Sequence, residues 1–108
     1  FAESVLPGYN VPHDESSLYI ASLYYELGVH KKGDAIMSVV ANNSIEYIEW
    51  GIALNKEHRE TANETIERHF SILGTLIKYL KEYNREDLLA QYSPEKYASL
   101  ANKYFEDK

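Results

Sequence analysis

Apolar residues recur at steps of three and four along most of this chain, which is the period of an amphipathic α-helix. The clearest seam runs through a long segment in which successive apolar residues are four or three positions apart: Ala62, Ile66, Phe70, Leu73, Ile77 and Leu80. No stretch of useful length shows the period of two that is typical of a β-strand. The pattern predicts an all-α protein made of helical hairpins, an irregular bundle of five to six helices joined by short turns.

The first 13 residues stand apart from this pattern. They lack periodicity and contain Pro7-Gly8 and Pro12, which favour turns and extended backbone. We therefore expect an extended lead-in over residues 1–13, followed by one α-helical domain over residues 14–108. A chain of 108 residues is long enough to bury a single core.

Capping residues predict where the helices begin and end, because short polar side chains favour helix starts and Gly favours helix ends. The predicted helices are Glu15 to Leu27, Lys31 to Ala41, Ile45 to Leu54, Lys56 to Tyr83, a short helix ending at Gln91, and Glu95 to Phe105. The predicted N-caps are Asp14, Ser44, Asn55, Asn84 with Asp87, and Ser93 followed by Pro94. Asn42-Asn43 is expected to stop the second helix, and Gly28 to end the first in the left-handed conformation.

The segment from Ala21 to Ile36 resembles one hairpin of a tetratricopeptide repeat. Such a repeat places a small residue at the closest helix contact, a Tyr one turn later, a Gly in the turn and a small residue on the second helix. These structural roles fall to Ala21, Tyr24, Gly28 and Gly33. Gly33 replaces the usual Ala, which lowers helix propensity but keeps the backbones close. A free-standing array of such repeats usually needs at least three copies, and no second copy of the motif matches in this chain. We therefore expect this chain to be the capped end of a longer array.

Composition narrows the classes of function. The net charge is −6 and the basic residues are scattered, so nucleic acid is not an expected partner. The chain has no cysteine, which excludes disulfides, thiolate metal sites and a cysteine nucleophile. No apolar run approaches the roughly 18 residues of a membrane span.

The residues that could carry chemistry form no recognisable catalytic motif. His58 and His69 are eleven positions apart, about three helical turns, which is too far for one metal ion. Glu residues between positions 57 and 67 recur at steps of three and four without the Glu-x-x-His partner of a di-metal bundle. Nucleophile elbows and phosphate-binding Gly loops are absent from the sequence. We therefore expect no enzyme activity, no cofactor and no metal in this segment.

Aromatic residues are the best candidates for a binding surface, since the chain has ten Tyr and one Trp. Tyr19 and Tyr25 fall on the first predicted helix, and Tyr47 and Trp50 on the third. If exposed together, their rings would supply hot spots for a bound polypeptide or would stack on sugars. The alternative is packing between helices, which is the more frequent role of such residues.

The order of segments from Val11 onward resembles the soluble C-terminal region of a family of large multi-pass membrane proteins of Gram-negative bacteria. The segments that carry this resemblance are Val11-Pro12, Leu-Tyr-Tyr-Glu-Leu-Gly at 23–28, residues 32–36, residues 46–50, residues 81–87 and Tyr104-Phe105. The function of that family is unassigned, and its membrane part is similar to protein O-mannosyltransferases and other glycosyltransferases that use lipid-linked sugars. The resemblance implies a catalytic part upstream of Phe1, membrane attachment only through that part, and a periplasmic location. No catalytic residue carries over.

Three hypotheses for function remain at this stage. The first is a non-catalytic interaction or scaffold domain of the glycosyltransferase-like protein, which binds a protein or peptide, its own parent, a glycan or a second copy of itself. The second is a stand-alone helical bundle with an unrecognised ligand or metal site. The third is a structural end-cap without a ligand, which predicts a large apolar patch near the first helix of the isolated domain.

Overall fold

The structure, a computed structural model, describes residues 15–54 and 56–106. The helical segments are α1 (Glu15–Glu26), α2 (His30–Ala53), α3 (Lys56–Glu82), α4 (Glu86–Gln91) and α5 (Pro94–Glu106). Since α4 is a short piece of six residues, the fold has four substantial helices rather than the predicted five to six. The described ranges contain no strand, and the all-α prediction is confirmed.

The largest difference from the prediction lies at Asn42-Asn43, which does not stop a helix. Helix α2 runs through both asparagines and is 24 residues long, so the predicted cap at Ser44 is wrong. The hydroxyl of Tyr92 donates to Oδ1 of Asn42 at 3.0 Å, and the fully buried Ser44 Oγ lies 3.2 Å from Nδ1 of His69. These tertiary contacts outweigh the weak local preference of Asn and Ser for helix ends.

Helices α1 and α3 end in the same kind of turn. Gly28 has φ +80°, and the N–H of the next residue, Val29, bonds to the carbonyl of Tyr24 at 2.8 Å. Asn84 has φ 57°, and the N–H of Arg85 bonds to the Leu80 carbonyl at 2.9 Å. Both are Schellman turns, which satisfy carbonyls at the helix end. The predicted end at Gly28 is thus confirmed.

Other predicted caps have mixed outcomes. Asn84 ends α3 instead of capping the next helix, because Asn tolerates the left-handed conformation. Helix α4 has Arg85 at its N-cap with no side-chain cap, so the prediction for Asn84 and Asp87 is wrong. At α5 the Lys96 N–H bonds to Ser93 Oγ at 3.1 Å, as expected. The caps predicted at Asp14 and Asn55, and the lead-in over residues 1–13, lie outside the described residues.

The core lies where α2 packs between α1 and α3, and α5 covers α2 and α3. Most of the predicted seam of α3 is buried, with Ile66 and Leu80 completely inaccessible. A neighbouring stripe that contains Ile72 and Leu76 is buried as well, so α3 is covered on two sides. No helix in the described ranges combines the length and apolarity needed to cross a membrane.

The hairpin of α1 and α2 is built around a close approach at Gly33. A Cβ atom at this position would lie only 2.5 Å to 2.9 Å from atoms of the Tyr25 ring. Ala21, one helical turn before Tyr25, is fully buried, and Tyr24 is partly buried against the core. Because the contact near the end of α1 meets the start of α2, the 12 residues of α1 lie beside only the first half of α2.

Candidate interaction surface

Helix α1 is apolar on two opposite sides. Its inner side packs into the core through Leu18, Ala21 and Tyr25, which are at most 4% exposed. The other side, named here the outer face of α1, consists of Tyr19 (59% exposed), Ile20 (43%), Leu23 (44%) and Leu27 (76%). Leu27 directly follows α1 and continues its geometry, since its N–H bonds to the Leu23 carbonyl at 3.0 Å. At 3.6 residues per turn, these four positions fall within an arc of about 100°. The outer face is therefore one continuous apolar stripe on the surface.

Of the four residues in this stripe, only Tyr19 was predicted as part of a binding surface. Leu27 is 76% exposed, on the side of the helix opposite the buried Leu18. Ile20, Leu23 and Leu27 follow one another at steps of three and four, which is the signal that could have revealed a second apolar side.

One edge of the outer face is acidic. Glu15 and Glu26 are eleven positions apart, about three turns, so they lie on the same side of α1. The hydroxyl of Tyr83, at the end of α3, donates to Oε2 of Glu26 at 2.7 Å. This hydrogen bond, together with burial and the charges of Glu26 and Glu82, raises the pKa of Tyr83 to about 12. The exposed carboxylates of Glu15 and Glu26, together with that of Glu82, whose charge acts on the Tyr83 hydroxyl, form what we name the acidic edge, on the side of α1 that meets α3. Lys78 lines a cavity on α3 with Glu82, so the negative charge of this edge is concentrated at Glu26 and Glu15.

The opposite edge, next to α2, has a different character. Tyr24 is partly buried there, and the amine of Lys32 lies 5.9 Å from the centre of its ring. A Lys at this distance over an aromatic ring is in the range of a cation–π contact. The edge towards α2 thus presents an aromatic ring and the amine of Lys32, whereas the edge towards α3 presents carboxylates.

Tyr25, Asp34 and Arg85 form a hydrogen-bonded cluster, named here the clamp, on the side of α1 opposite the outer face. The Tyr25 hydroxyl donates to Oδ1 of Asp34 at 2.7 Å, and Arg85 donates from Nε and Nη2 to the two Asp34 oxygens at 3.0 Å and 2.6 Å. The guanidinium of Arg85 also lies 5.6 Å from the centre of the Tyr25 ring. The clamp thus joins α1, α2 and the turn after α3 through a bidentate ion pair, which is the strongest geometry for such a pair.

Electrostatics of the clamp follow from this geometry. Burial alone would raise the pKa of Asp34, but the hydrogen bonds from Arg85 and Tyr25 and the Arg85 charge outweigh it, so the pKa lies below the usual range. Burial and then the bond to Asp34 raise the pKa of the Tyr25 hydroxyl far above its ordinary value. A shallow cavity of about 240 Å³ adjoins Asp34 and Arg85. Since these polar groups are bonded to each other, the role of the clamp is to hold α1, α2 and the turn after α3 together.

We expect Asp34→Asn to lower the free energy of unfolding at neutral pH by about 1 kcal/mol, because the pair is partly exposed and screened by solvent. The pKa of Asp34 is lower in the folded than in the unfolded chain, so its contribution is complete above about pH 4 and is lost as the pH falls through the folded value. Urea unfolding measured from neutral to acid pH checks this. The variant should lose less stability on acidification than the wild type, and Asp87→Asn, at an exposed position on α4, is the variant measured beside it. Parallel curves for Asp34→Asn and wild type would contradict the role of the clamp.

The four aromatic residues predicted to bind lie in different surroundings. Tyr19 belongs to the outer face of α1, and Tyr25 is buried in the clamp. Tyr47 is half-buried, stacks on His69 with ring centres 4.5 Å apart, and meets Trp50 edge to face at 5.0 Å. This pair lies on the second half of α2, beyond α1, with Trp50 48% exposed. The structure joins Tyr47 with Trp50 but does not gather the four rings into one surface.

Comparisons of the chain with protein-family models, with curated proteins and with solved structures find no match. Within the described residues, no group of three or more His, Asp or Glu side chains is placed to hold a metal ion.

Proposed function

We propose that this chain is a non-catalytic interaction domain that binds a polypeptide on the outer face of α1. The observation that carries the proposal is the second apolar side of α1, which faces solvent. A surface helix normally turns polar residues to water. Single exposed leucines need no explanation, but four large apolar side chains on one stripe form the kind of patch that marks a contact with another protein.

The packing behind α1 supports the same proposal. Leu18 and Ala21 are completely buried, and the bonds of Tyr25 to the clamp hold the end of the helix. A partner would therefore meet a stripe whose backbone is already ordered. Binding to such a surface loses less conformational entropy than binding to a segment that must first fold.

The structural end-cap is the second candidate, since the same apolar stripe favours it. Stacked helical repeats bury an apolar face against the next repeat, and α1 is the first described helix, on which an upstream repeat would stack. In this case the outer face would be covered by the parent chain. We retain from the sequence resemblance the proposal that this parent is a glycosyltransferase-like membrane protein with the domain on its periplasmic side.

Site-specific cross-linking tests both candidates in the protein as the cell makes it. A photo-reactive amino acid at Leu23 should form a cross-link to another polypeptide, identified by mass spectrometry. Cross-links to upstream residues of the same polypeptide would instead establish the end-cap. The same amino acid at Glu95, exposed on α5, is the control. Equal, low cross-linking at both positions would overturn the proposal.

We expect Leu23→Gln to abolish this contact while leaving the fold intact. Leu23 is largely exposed and Gln has a high helix propensity, so the free energy of unfolding should change by less than about 0.5 kcal/mol. Cross-linking from a photo-reactive residue at Tyr19 in the Leu23→Gln background measures the loss of the partner, and urea unfolding measures stability. Retained cross-linking in a folded variant would show that the outer face is not the docking surface.

A further inference from the structure

We infer that the partner on the outer face of α1 is an amphipathic helix whose flank towards α3 carries Lys or Arg residues. The inference rests on the proposed function and names the chemistry of its partner. Two features of the structure determine it, the spacing of the apolar side chains and the distribution of charge along the two edges.

The spacing favours a helix over an extended segment. Ile20 and Leu23 on α1, and Leu27 directly after its end, stand at steps of three and four along one side. Side chains in this arrangement form ridges and grooves that accept the side chains of another helix lying lengthwise. A partner helix also satisfies its own backbone hydrogen bonds, which an extended segment lying on an apolar stripe would leave unpaired. With 12 residues, α1 offers a contact about 18 Å long.

The charges set the chemistry and the orientation of this helix. Glu26 is held in place by the Tyr83 hydroxyl, and Glu15 and Glu82 extend the negative edge along the side towards α3. Cationic side chains on the facing flank of the partner would pair with these carboxylates at the rim of the contact. On the edge towards α2 the structure describes the Tyr24 ring with the Lys32 amine over it, and no such row of carboxylates in the described residues. The acidic edge therefore determines which flank of the partner is basic.

A second copy of this chain is a poorer occupant. Each copy has a net charge of −6, so association of two copies is opposed by like charge. In a face-to-face antiparallel pair, the acidic edge of one copy would meet the acidic edge of the other, whereas a parallel pair would be opposed by the net charge alone. A helix with a basic flank does not meet this like-charge repulsion.

Two synthetic helical peptides of about 20 residues test the inference, since shorter isolated helices are unstable. The peptides share one Leu/Ile stripe and differ in one flank, which carries Lys in the first and Glu in the second. Titration followed by ¹H–¹⁵N NMR should shift the signals of Ile20, Leu23 and Leu27, with about fivefold tighter binding of the Lys peptide. About 1 M NaCl, where the Debye length is only about 3 Å, should remove this preference.

Two charge variants with equal net charge provide the matched comparison. Replacing Glu15, Glu26 and Glu82 by Gln keeps an acceptor for the Tyr83 hydroxyl and should abolish the preference for the Lys peptide. The same replacement at Glu60, Glu64 and Glu95, which are exposed elsewhere, should preserve it.

Each contrary result has a distinct meaning. Equal binding of both peptides at the outer face overturns the charge inference and leaves the proposed function standing. A mass that doubles with concentration in sedimentation, with the outer-face signals shifting, identifies a second copy as the occupant and overturns the inference. Outer-face signals that change only when residues 1–14 are deleted identify the chain's own N-terminal segment as the occupant of the outer face, and this result also overturns the inference. Failure of both peptides, together with no cross-link from Leu23, overturns the inference and the proposed function.

Discussion

Asn43→Pro is expected to lower the free energy of unfolding by at least about 3 kcal/mol, the usual effect of proline in a helix interior. Asn43 lies well inside α2, a single helix from His30 to Ala53. Proline at this position would remove one N–H donor and would press its ring against the carbonyl of Val39. The helix cannot kink freely there, because Val40 and Ala41 are fully buried on one side of the site and Ser44 on the other.

Asn43→Ala is the matched control. Alanine has a higher helix propensity than asparagine, so this variant should be as stable as the wild type or more stable by a few tenths of a kcal/mol. Urea unfolding, with helix content followed by circular dichroism, measures both variants. If Asn43→Pro stays within about 1 kcal/mol of the wild type, α2 is broken at this point and the sequence-based prediction of two helices is correct after all.

The break predicted at Asn42-Asn43 shows what a local pattern leaves out. The propensity difference between Asn and a good helix former is only about half a kcal/mol, whereas a hydrogen bond such as that from Tyr92 to Asn42 contributes about 1 kcal/mol. Tyr92 lies 50 residues along the chain, so no window centred on Asn42 contains the partner. The long seam of α3 was predictable because its apolar period persists over many turns and does not depend on a single contact.

The candidate surface was predictable only in part, for a related reason. The sequence of α1 shows two apolar stripes, and periodicity cannot say which of them packs inward. The choice is made by tertiary contacts, chiefly the approach of Tyr25 to Gly33. The clamp had no sequence signal either, since Asp34 and Arg85 are 51 residues apart. The aromatic content predicted Tyr19 and Trp50 as binding residues, but it could not predict Ile20 and Leu23, which lie beside Tyr19 in the exposed stripe.

Gly33→Ala is expected to lower the free energy of unfolding by about 2 kcal/mol, although alanine is the better helix former. The added Cβ would lie 2.5 Å to 2.9 Å from the Tyr25 ring, which is well inside van der Waals contact. The ring cannot move aside easily, because its hydroxyl is bonded to Asp34 and its face packs against Tyr83 with ring centres 5.2 Å apart. The overlap therefore has to be relieved by separating α1 from α2.

Gly74→Ala supplies a control of opposite sign within α3. Its Cβ would meet Tyr97 atoms at 3.6 Å to 3.8 Å, an ordinary contact, so the gain in helix propensity should raise stability by about 0.5 to 1 kcal/mol. Urea unfolding of the two variants measures the difference directly.

The double variant Gly33→Ala with Tyr25→Ala should lose less free energy of unfolding than the sum of the two single variants, because removing the ring removes the overlap. If Gly33→Ala were as stable as the wild type, α1 and α2 would be further apart than Tyr25 requires. Alanine would then fit at position 33, and the inner side of α1 would not be fixed by this contact.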